Sequence, residues 1–156
     1  MAYVVIRIRS PMNKSRKMEN TLNSLRLKKV NHCTIISQDS KHIGMLKQIK
    51  DIVTWGEIEK NTLTSLLRNN SSLDVELTDE YITENTEYEG IEDFSEKVID
   101  GDADITEVPN LQNLFRLHPP RGGFKSVKKP YETGGSLGYR GKNINNLLEK
   151  MLNKIE

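Results

Sequence analysis

The first 58 residues carry a hydrophobic pattern that changes between a period of two and a period of about 3.6. Val4, Ile6 and Ile8 alternate with other residues, which predicts a strand with one buried face. Leu22 and Leu25 recur at helical spacing, which predicts an amphipathic helix. The predicted elements are strands over 3–8, 30–37 and 51–55, a helix over 15–27, and a helix from Asp39 or Ser40 to Lys50 with Ile43, Leu46 and Ile49 facing inward. This order predicts a compact two-layer α/β unit.

Beyond residue 58 the pattern is less regular and includes a stretch without any hydrophobic period. Residues 117–142 contain six glycines and three prolines, so we expect no packed core there, and mobility over 119–142 in the free protein. The elements predicted around this stretch are helices over 58–69, 78–86, 90–100 and 143–156 and a brief strand over 114–117. The expected domains are a core over 1–58 and an extension over 59–156, with an acidic helical insertion (59–110), a strand and basic loop (111–142) and a final helix (143–156).

Charge is distributed unevenly along the chain, although the net charge is only +1. Residues 1–50 hold 11 Lys and Arg against 2 Asp and Glu, residues 51–110 hold 3 against 17, and residues 111–156 hold 9 against 3. Two basic ends around an acidic middle indicate that the partner is a nucleic acid or another acidic surface. We expect the acidic middle to lie away from a nucleic acid, because carboxylates and phosphates repel each other at close range.

The composition also limits the size of the core and the cellular compartment. Hydrophobic residues make up 35% of the chain, which predicts a modest core. Cys33 is the single cysteine, so the chain has no internal disulfide and suits a reducing compartment. The chain start does not resemble a secretory signal, and no apolar run approaches the roughly 20 residues that span a bilayer. We expect a soluble cytoplasmic protein without a membrane partner.

None of the motifs that carry metal, nucleotide or catalytic chemistry is complete. A calcium-loop spacing starts at Asp100, but Ile105 stands where glycine is needed and Leu111 where a bidentate carboxylate is needed. The phosphate-loop motif and the dinucleotide fingerprint are absent. One cysteine and three histidines do not supply a zinc site, and Cys33 and His32 are expected to face inward and outward respectively. We therefore expect no enzyme activity, no metal, no cofactor and no small-molecule substrate.

Basic residues, interleaved with aromatic residues and glycine, occur near the predicted strand ends and through the 117–142 stretch. No Asp or Glu lies between Val108 and Tyr131 to balance them. Closely spaced positive charge can follow phosphates, and exposed aromatic rings can stack on unpaired bases, so this pattern predicts RNA as the partner. The candidate RNA-binding residues are Arg7, Arg9, Lys14, Arg16, Lys17, Arg26, Lys28, Lys29, His32, Lys41, Arg116, His118, Arg121, Phe124, Lys125, Lys128, Lys129, Tyr139, Arg140 and Lys142.

Two pairs of segments resemble a known family. TLNSLRLKKVNHCT (21–34) and MLKQIKDIV (45–53) resemble the core of the family of large-subunit ribosomal protein thirty, whose eukaryotic relative is called protein seven. FRLHPPRGG (115–123) and GGSLG (134–138) resemble the extension of the archaeal type. The resemblance implies a ferredoxin-like β-α-β-α-β core with a three-stranded antiparallel sheet in the order 3-1-2. It also implies a structural, non-catalytic role, with large-subunit ribosomal RNA and neighbouring large-subunit ribosomal proteins as partners.

Two other functions stay open as alternatives. A free RNA-binding regulator with the same kind of fold would bind an isolated hairpin tightly and stay off ribosomes. A metal-dependent RNA-processing enzyme that used the acidic middle would cleave RNA with magnesium and would lose cleavage when Asp100 or Asp102 is replaced. Neither alternative explains the family motifs.

Overall fold

The computed structural model describes residues 2–9, 16–69, 79–103, 105, 115–117, 120 and 129–151. Its elements in chain order are β1 (Ala2–Arg7), α1 (Arg16–Ser24), β2 (His32–Ser37), α2 (Ser40–Gln48), β3 (Val53–Glu57), α3 (Lys60–Asn69), α4 (Asp79–Asn85), α5 (Ile91–Asp100), β4 (Phe115–Arg116), β5 (Gly138–Tyr139) and α6 (Ile144–Met151). The two acidic helices are confirmed as α4 and α5, and the final helix is confirmed as α6 within the described residues. None of the helices in these ranges has the length and apolar character needed to cross a membrane.

Three antiparallel strands form the centre of the sheet, in the order β2-β1-β3. This confirms the ferredoxin-like core and the sheet order that the resemblance implies. Within the described ranges, β4 joins the β2 edge in the antiparallel direction and β5 joins the β3 edge in the parallel direction. Both added strands are only two residues long, so they widen the implied three-stranded sheet without changing its centre.

Helices α1 and α2 cover one face of the sheet. Leu22, Leu25 and Leu46 are buried there in a core that includes Val5 of β1. The helical spacing predicted for the first of these helices is therefore confirmed, although α1 ends at Ser24, before the predicted end. Burial of such leucine side chains contributes about 1.5–3 kcal/mol each to the stability of this layer.

α2 begins where the sequence predicts, but one of the residues predicted for its inner face is exposed. The Asp39 carboxylate accepts a hydrogen bond from the backbone N–H of His42 at 2.8 Å and caps the helix. Leu46 and Ile49 are buried as predicted, whereas Ile43 is 36% exposed. Ile43 and Ile49 lie on opposite sides of Leu46 around the helix, and only the side of Ile49 meets the sheet. The prediction that Ile43 faces inward is wrong.

The other face of the sheet is covered by residues beyond position 58. Val4 of β1 is fully buried in a core shared with Leu66 of α3, Phe94 of α5 and Leu148 of α6. Val5 is fully buried on the opposite face, so the prediction of a strand with only one buried face is wrong. The first 58 residues form the predicted two layers, and the extension adds a third layer that needs both faces of β1 to be apolar.

Residues 129–142 pack against β3, so the expectation that 119–142 stays unpacked in the free protein is wrong for this part, while residues 119 and 121–128 lie outside the described residues. β5 pairs with β3, and the neighbouring Leu137 is only 4% exposed. Gly135 is required by a close approach of the backbone, because a Cβ at this position would lie 2.0 Å from the carbonyl oxygen of Lys129. The high glycine content of this part thus permits tight packing, which composition alone does not distinguish from flexibility.

Candidate nucleic-acid interface

One end of the sheet brings together segments that are distant in sequence. β1 ends there, and β2 and β3 begin there, because β1 is antiparallel to both. The backbone N–H of Asn31 donates to the carbonyl of Arg7 at 2.8 Å, and the N–H of Arg9 donates to the carbonyl of Ile52 at 3.3 Å. The end of β1, the turn after α1 and the turn before β3 are therefore adjacent. We call this region the basic end and define it as residues 7–9, 25–32 and 50–52.

The basic end gathers predicted RNA-binding residues, namely Arg9, Arg26, Lys28, Lys29 and His32. Arg26, Lys28 and Lys29 are exposed, and Arg9 and His32 are partly buried. In the part of the chain that the structure describes, no carboxylate forms an ion pair with Arg26, Lys28 or Lys29. Their positive charge is therefore available to an anionic partner.

Lys50 also belongs to the basic end, although the sequence pattern did not single it out. It is exposed in the turn between α2 and β3. Two residues later, the carbonyl of Ile52 accepts hydrogen bonds from the backbone N–H groups of Ile8 at 2.9 Å and Arg9 at 3.3 Å. The signal that identifies Lys50 is the strand order, because only the pairing of β1 with β3 brings this turn beside the others.

The basic loop is attached to the sheet at the same end. After β4, the backbone N–H of Leu117 donates to the carbonyl of Asn31 at 3.0 Å. Before β5, the backbone carbonyl of Lys129 accepts a hydrogen bond from the backbone N–H of Leu137 at 3.2 Å, beside the start of β3, and Lys129 is exposed. Lys14, His118, Arg121, Phe124, Lys125, Lys128 and the side chain of Arg116 lie outside the described residues, so their predicted roles remain predictions.

Arg7 was predicted to contact RNA, but in the structure its side chain is buried. Its side chain points to the same face of β1 as Val5, and only 3% of the residue is exposed. Its Nη1 donates to the carbonyl oxygen of Leu27 at 2.9 Å. Arg7 therefore supports the basic end from inside and presents no exposed guanidinium.

Arg140 is engaged by contacts within the protein. Its Nε donates to Thr54 Oγ1 at 2.8 Å, and its Nη2 donates to the carbonyl of Ser136 at 2.6 Å. The guanidinium carbon lies 4.8 Å from the centre of the Tyr131 ring, which adds a cation–π contact. Burial lowers the pKa of Arg140, and these partners compensate the buried charge. Arg140 therefore holds β5 and the preceding turn against β3.

Tyr139 has an exposed ring but an occupied hydroxyl. The residue is 43% exposed, and its hydroxyl donates to the carboxylate of Glu57. This hydrogen bond raises the pKa of Tyr139 to about 12, because a phenolate would lose the bond and face a negative charge. The ring also meets the edge of Tyr3, with centroids 6.2 Å apart. Tyr139 thus connects β5 to β1 and β3, and base stacking on its exposed ring remains a prediction.

Other predicted cations are exposed but lie outside the basic end. Arg16 and Lys17 begin α1, about 13 Å along the helix axis from the end of that helix, at 1.5 Å per residue. Lys41 begins α2, next to the Asp39 cap. Lys142 lies in a short 3-10 turn that follows β5. The structure does not bring these residues together with the exposed cations of the basic end.

Comparison with known proteins gives an independent line of evidence. Residues 3–53 match the family model of Ribosomal protein L30p/L7e. The chain is 44% identical over 149 residues to the large ribosomal subunit protein uL30 of Methanopyrus kandleri, which covers 93% of this chain and 100% of that protein. It is 45% identical over 151 residues to the uL30 protein of Archaeoglobus fulgidus, with 96% and 99% covered. The chain belongs to the L30p/L7e family of ribosomal proteins.

The segment that matches the L30p/L7e family model contains the whole basic end. The acidic helices α4 and α5 follow this segment and pack on the face of the sheet that α1 and α2 leave open. Arg26 and Asp102 line the same cavity of about 430 Å³ beside β2, so the acidic and basic regions meet there. Across the described ranges of this L30p/L7e chain, no group of three or more His, Cys, Asp or Glu side chains could hold a metal ion, and Asp104 lies outside those ranges.

Proposed function

We propose that this L30p/L7e family protein is a structural constituent of the large ribosomal subunit and binds large-subunit ribosomal RNA through its basic end. The observation that carries the proposal is the similarity over 93% of the chain to a protein named large ribosomal subunit protein uL30. In this role the protein acts in the cytoplasm as part of the ribosome, beside neighbouring ribosomal proteins, and catalyses no reaction.

The physical properties of the basic end suit an RNA backbone. Its exposed cations form no ion pair with a carboxylate among the described residues. They lie in turns next to helices and strands, which hold the backbone of these turns in place. Each phosphate that a lysine or arginine neutralises releases counterions, so binding of this kind weakens as salt rises. The basic loop is attached at the same end, and Arg121, Lys125 and Lys128 would add contacts to the same RNA.

The acidic helices support one orientation of the protein on the RNA. The exposed carboxylates of α4 and α5 belong to the layer on the opposite side of the sheet from α1 and α2, and among the described carboxylates only Asp102, which follows α5, shares the cavity beside β2 with a residue of the basic end, Arg26. Because carboxylates and phosphates repel each other, this layer would face solvent or a basic neighbouring protein.

The proposed interface is tested by the salt dependence of RNA binding. The triple variant Arg26→Ala, Lys28→Ala, Lys29→Ala should bind protein-free large-subunit RNA of Archaeoglobus fulgidus with a slope of log affinity against log salt that is smaller by about 2, at roughly 0.7 per lost phosphate contact. Three lysines on the extension helices provide a matched control, because their replacement removes the same charge elsewhere. They are Lys60, Lys97 and Lys150. An equal change in both triple variants would contradict an interface at the basic end.

The two alternative functions predict different results with the same material. A free regulator would bind an isolated RNA hairpin more tightly than the ribosomal RNA. An RNA-processing enzyme would cleave the RNA when magnesium is added and would lose this activity in Asp100→Asn or Asp102→Asn. Tight, salt-dependent binding of ribosomal RNA without cleavage supports the structural role.

A further inference from the structure

The first half of the turn between α1 and β2 contains an arginine in an unusual backbone conformation. Arg26 adopts a left-handed φ of 61°, which is common for glycine and uncommon for arginine. The backbone N–H of Leu27 donates to Leu22 O at 2.8 Å, and that of Arg26 donates to Asn23 O at 3.1 Å. These two bonds form a Schellman motif, and the buried side chains of Leu27 and Leu22 share one core, a contact that frequently accompanies this motif.

The second half of the turn contains another left-handed residue. Asn31 has a φ of 69°, its N–H donates to Arg7 O at 2.8 Å, and its carbonyl accepts from Leu117 N–H at 3.0 Å. The backbone N–H of His32 donates to the carbonyl of Lys29 at 3.2 Å. Asparagine adopts this conformation readily, whereas the left-handed Arg26 persists only where the surrounding structure fixes it.

The buried guanidinium of Arg7 supplies part of that fixation. Its Nη1 donates to the carbonyl of Leu27 at 2.9 Å, and its Nε donates to the carbonyl of Arg9 at 3.3 Å. The Leu27 carbonyl lies three residues beyond the end of α1 at Ser24, directly after the left-handed Arg26. This carbonyl is also part of the peptide unit that leads into Lys28, so its orientation decides where Lys28 and Lys29 point.

We propose that Arg7 is a positioning residue for RNA binding and that the turn it holds is a preformed phosphate-binding surface. The inference rests on the proposed function of the basic end. Arg7 itself contacts no phosphate, because it is buried, whereas the exposed Arg26, Lys28 and Lys29 make the contacts. A lysine at position 7 would keep the charge but could not reproduce the forked donor geometry of arginine.

The test uses the full chain with Arg7→Met and Arg7→Lys. Both variants should bind protein-free large-subunit RNA of Archaeoglobus fulgidus roughly tenfold more weakly at fixed salt, as expected for a loss of about 1.4 kcal/mol. The slope of log affinity against log salt should stay unchanged, because no phosphate contact is removed. Amide hydrogen exchange should accelerate over 27–31 and stay slow in the ladder between β1 and β3. Lys29→Ala is the matched control, with a lower slope and unchanged exchange.

Three results would overturn the proposal. A slope that falls by about 0.7–0.9 in Arg7→Met would mean that Arg7 contacts a phosphate directly. Full affinity in Arg7→Lys would mean that charge alone is needed at this position. Unchanged exchange over 27–31 in both variants would mean that Arg7 does not hold the turn. If neither the wild-type protein nor Lys29→Ala binds ribosomal RNA, the proposed function fails, and the exchange measurement still decides whether Arg7 holds the turn.

Discussion

Replacement of Arg26 by glycine should change stability and RNA binding in opposite directions. Arginine in the left-handed conformation costs about 1–2 kcal/mol. Glycine removes this cost but loses about 0.5–1 kcal/mol through the greater freedom of the unfolded chain. The net gain in the free energy of unfolding should be about 0–1.5 kcal/mol, or up to about 6 °C in the melting temperature of a chain of this size. The same change removes one exposed cation, so the salt slope of RNA binding should fall by about 0.7–0.9.

The matched control for this experiment is Lys28→Gly. Lys28 is exposed like Arg26, but within the described residues a positive φ outside glycine is found only at Arg26 and Asn31. Lys28→Gly should therefore lower stability by about 0.5–1 kcal/mol while it reduces the salt slope equally. Thermal unfolding followed by circular dichroism and filter binding over a range of salt concentrations measure the two effects. A lower melting temperature in Arg26→Gly would refute the reasoning about strain, and an unchanged slope would refute the phosphate contact.

Three further predictions concern packing and charge. Leu25→Ala should lower the free energy of unfolding in urea by about 2–5 kcal/mol, whereas Asn23→Ala should lower it by less than about 0.5 kcal/mol, because Leu25 is buried and Asn23 is exposed. Equal losses would mean that α1 is rotated from its observed orientation. Gly56→Ala should loosen residues 129–151 and speed their proteolysis, because a Cβ there would lie 2.0 Å from the Gly141 carbonyl oxygen; unchanged cleavage would contradict this packing. Reversal of three exposed carboxylates to lysine should preserve incorporation into large subunits on gradients and raise binding to unrelated RNA, and lost incorporation would indicate a basic protein partner. These carboxylates are Glu87, Glu89 and Glu92.

The central fold could be predicted because its signals are local. The apolar run around Val4 located β1, although its alternation did not show that Val5 is buried as well, and the helical spacing of Leu22 and Leu25 depends only on which residues one helix buries. The cover over the second face of the sheet could not be predicted in this way, since it depends on where residues beyond position 58 pack. Arg7 shows the same limit, because its burial depends on the carbonyl of Leu27, which lies twenty residues away in sequence.

The candidate interface was only partly predictable for a related reason. Composition identified Arg26 and the neighbouring lysines as candidates, but the strand order was needed to bring them beside Lys50. Tyr139 and Arg140 are of residue types that often contact RNA. Their polar groups, however, form hydrogen bonds with Glu57 and Thr54 of β3, which lie more than 80 residues away in sequence. Residue type indicates what a side chain can bind, and only the tertiary contacts show which groups remain free to do so.

The ribosomal assignment is tested most directly by where a tagged copy of the protein sediments in a living cell. Lysate from Archaeoglobus fulgidus that expresses the tagged chain is separated on sucrose gradients at moderate and at high salt. We expect the protein to co-sediment with the large subunit at moderate salt and to leave it only at high salt, because its phosphate contacts weaken as salt rises. A protein found chiefly in low-molecular-weight fractions at moderate salt would contradict its role as a constituent of the large subunit.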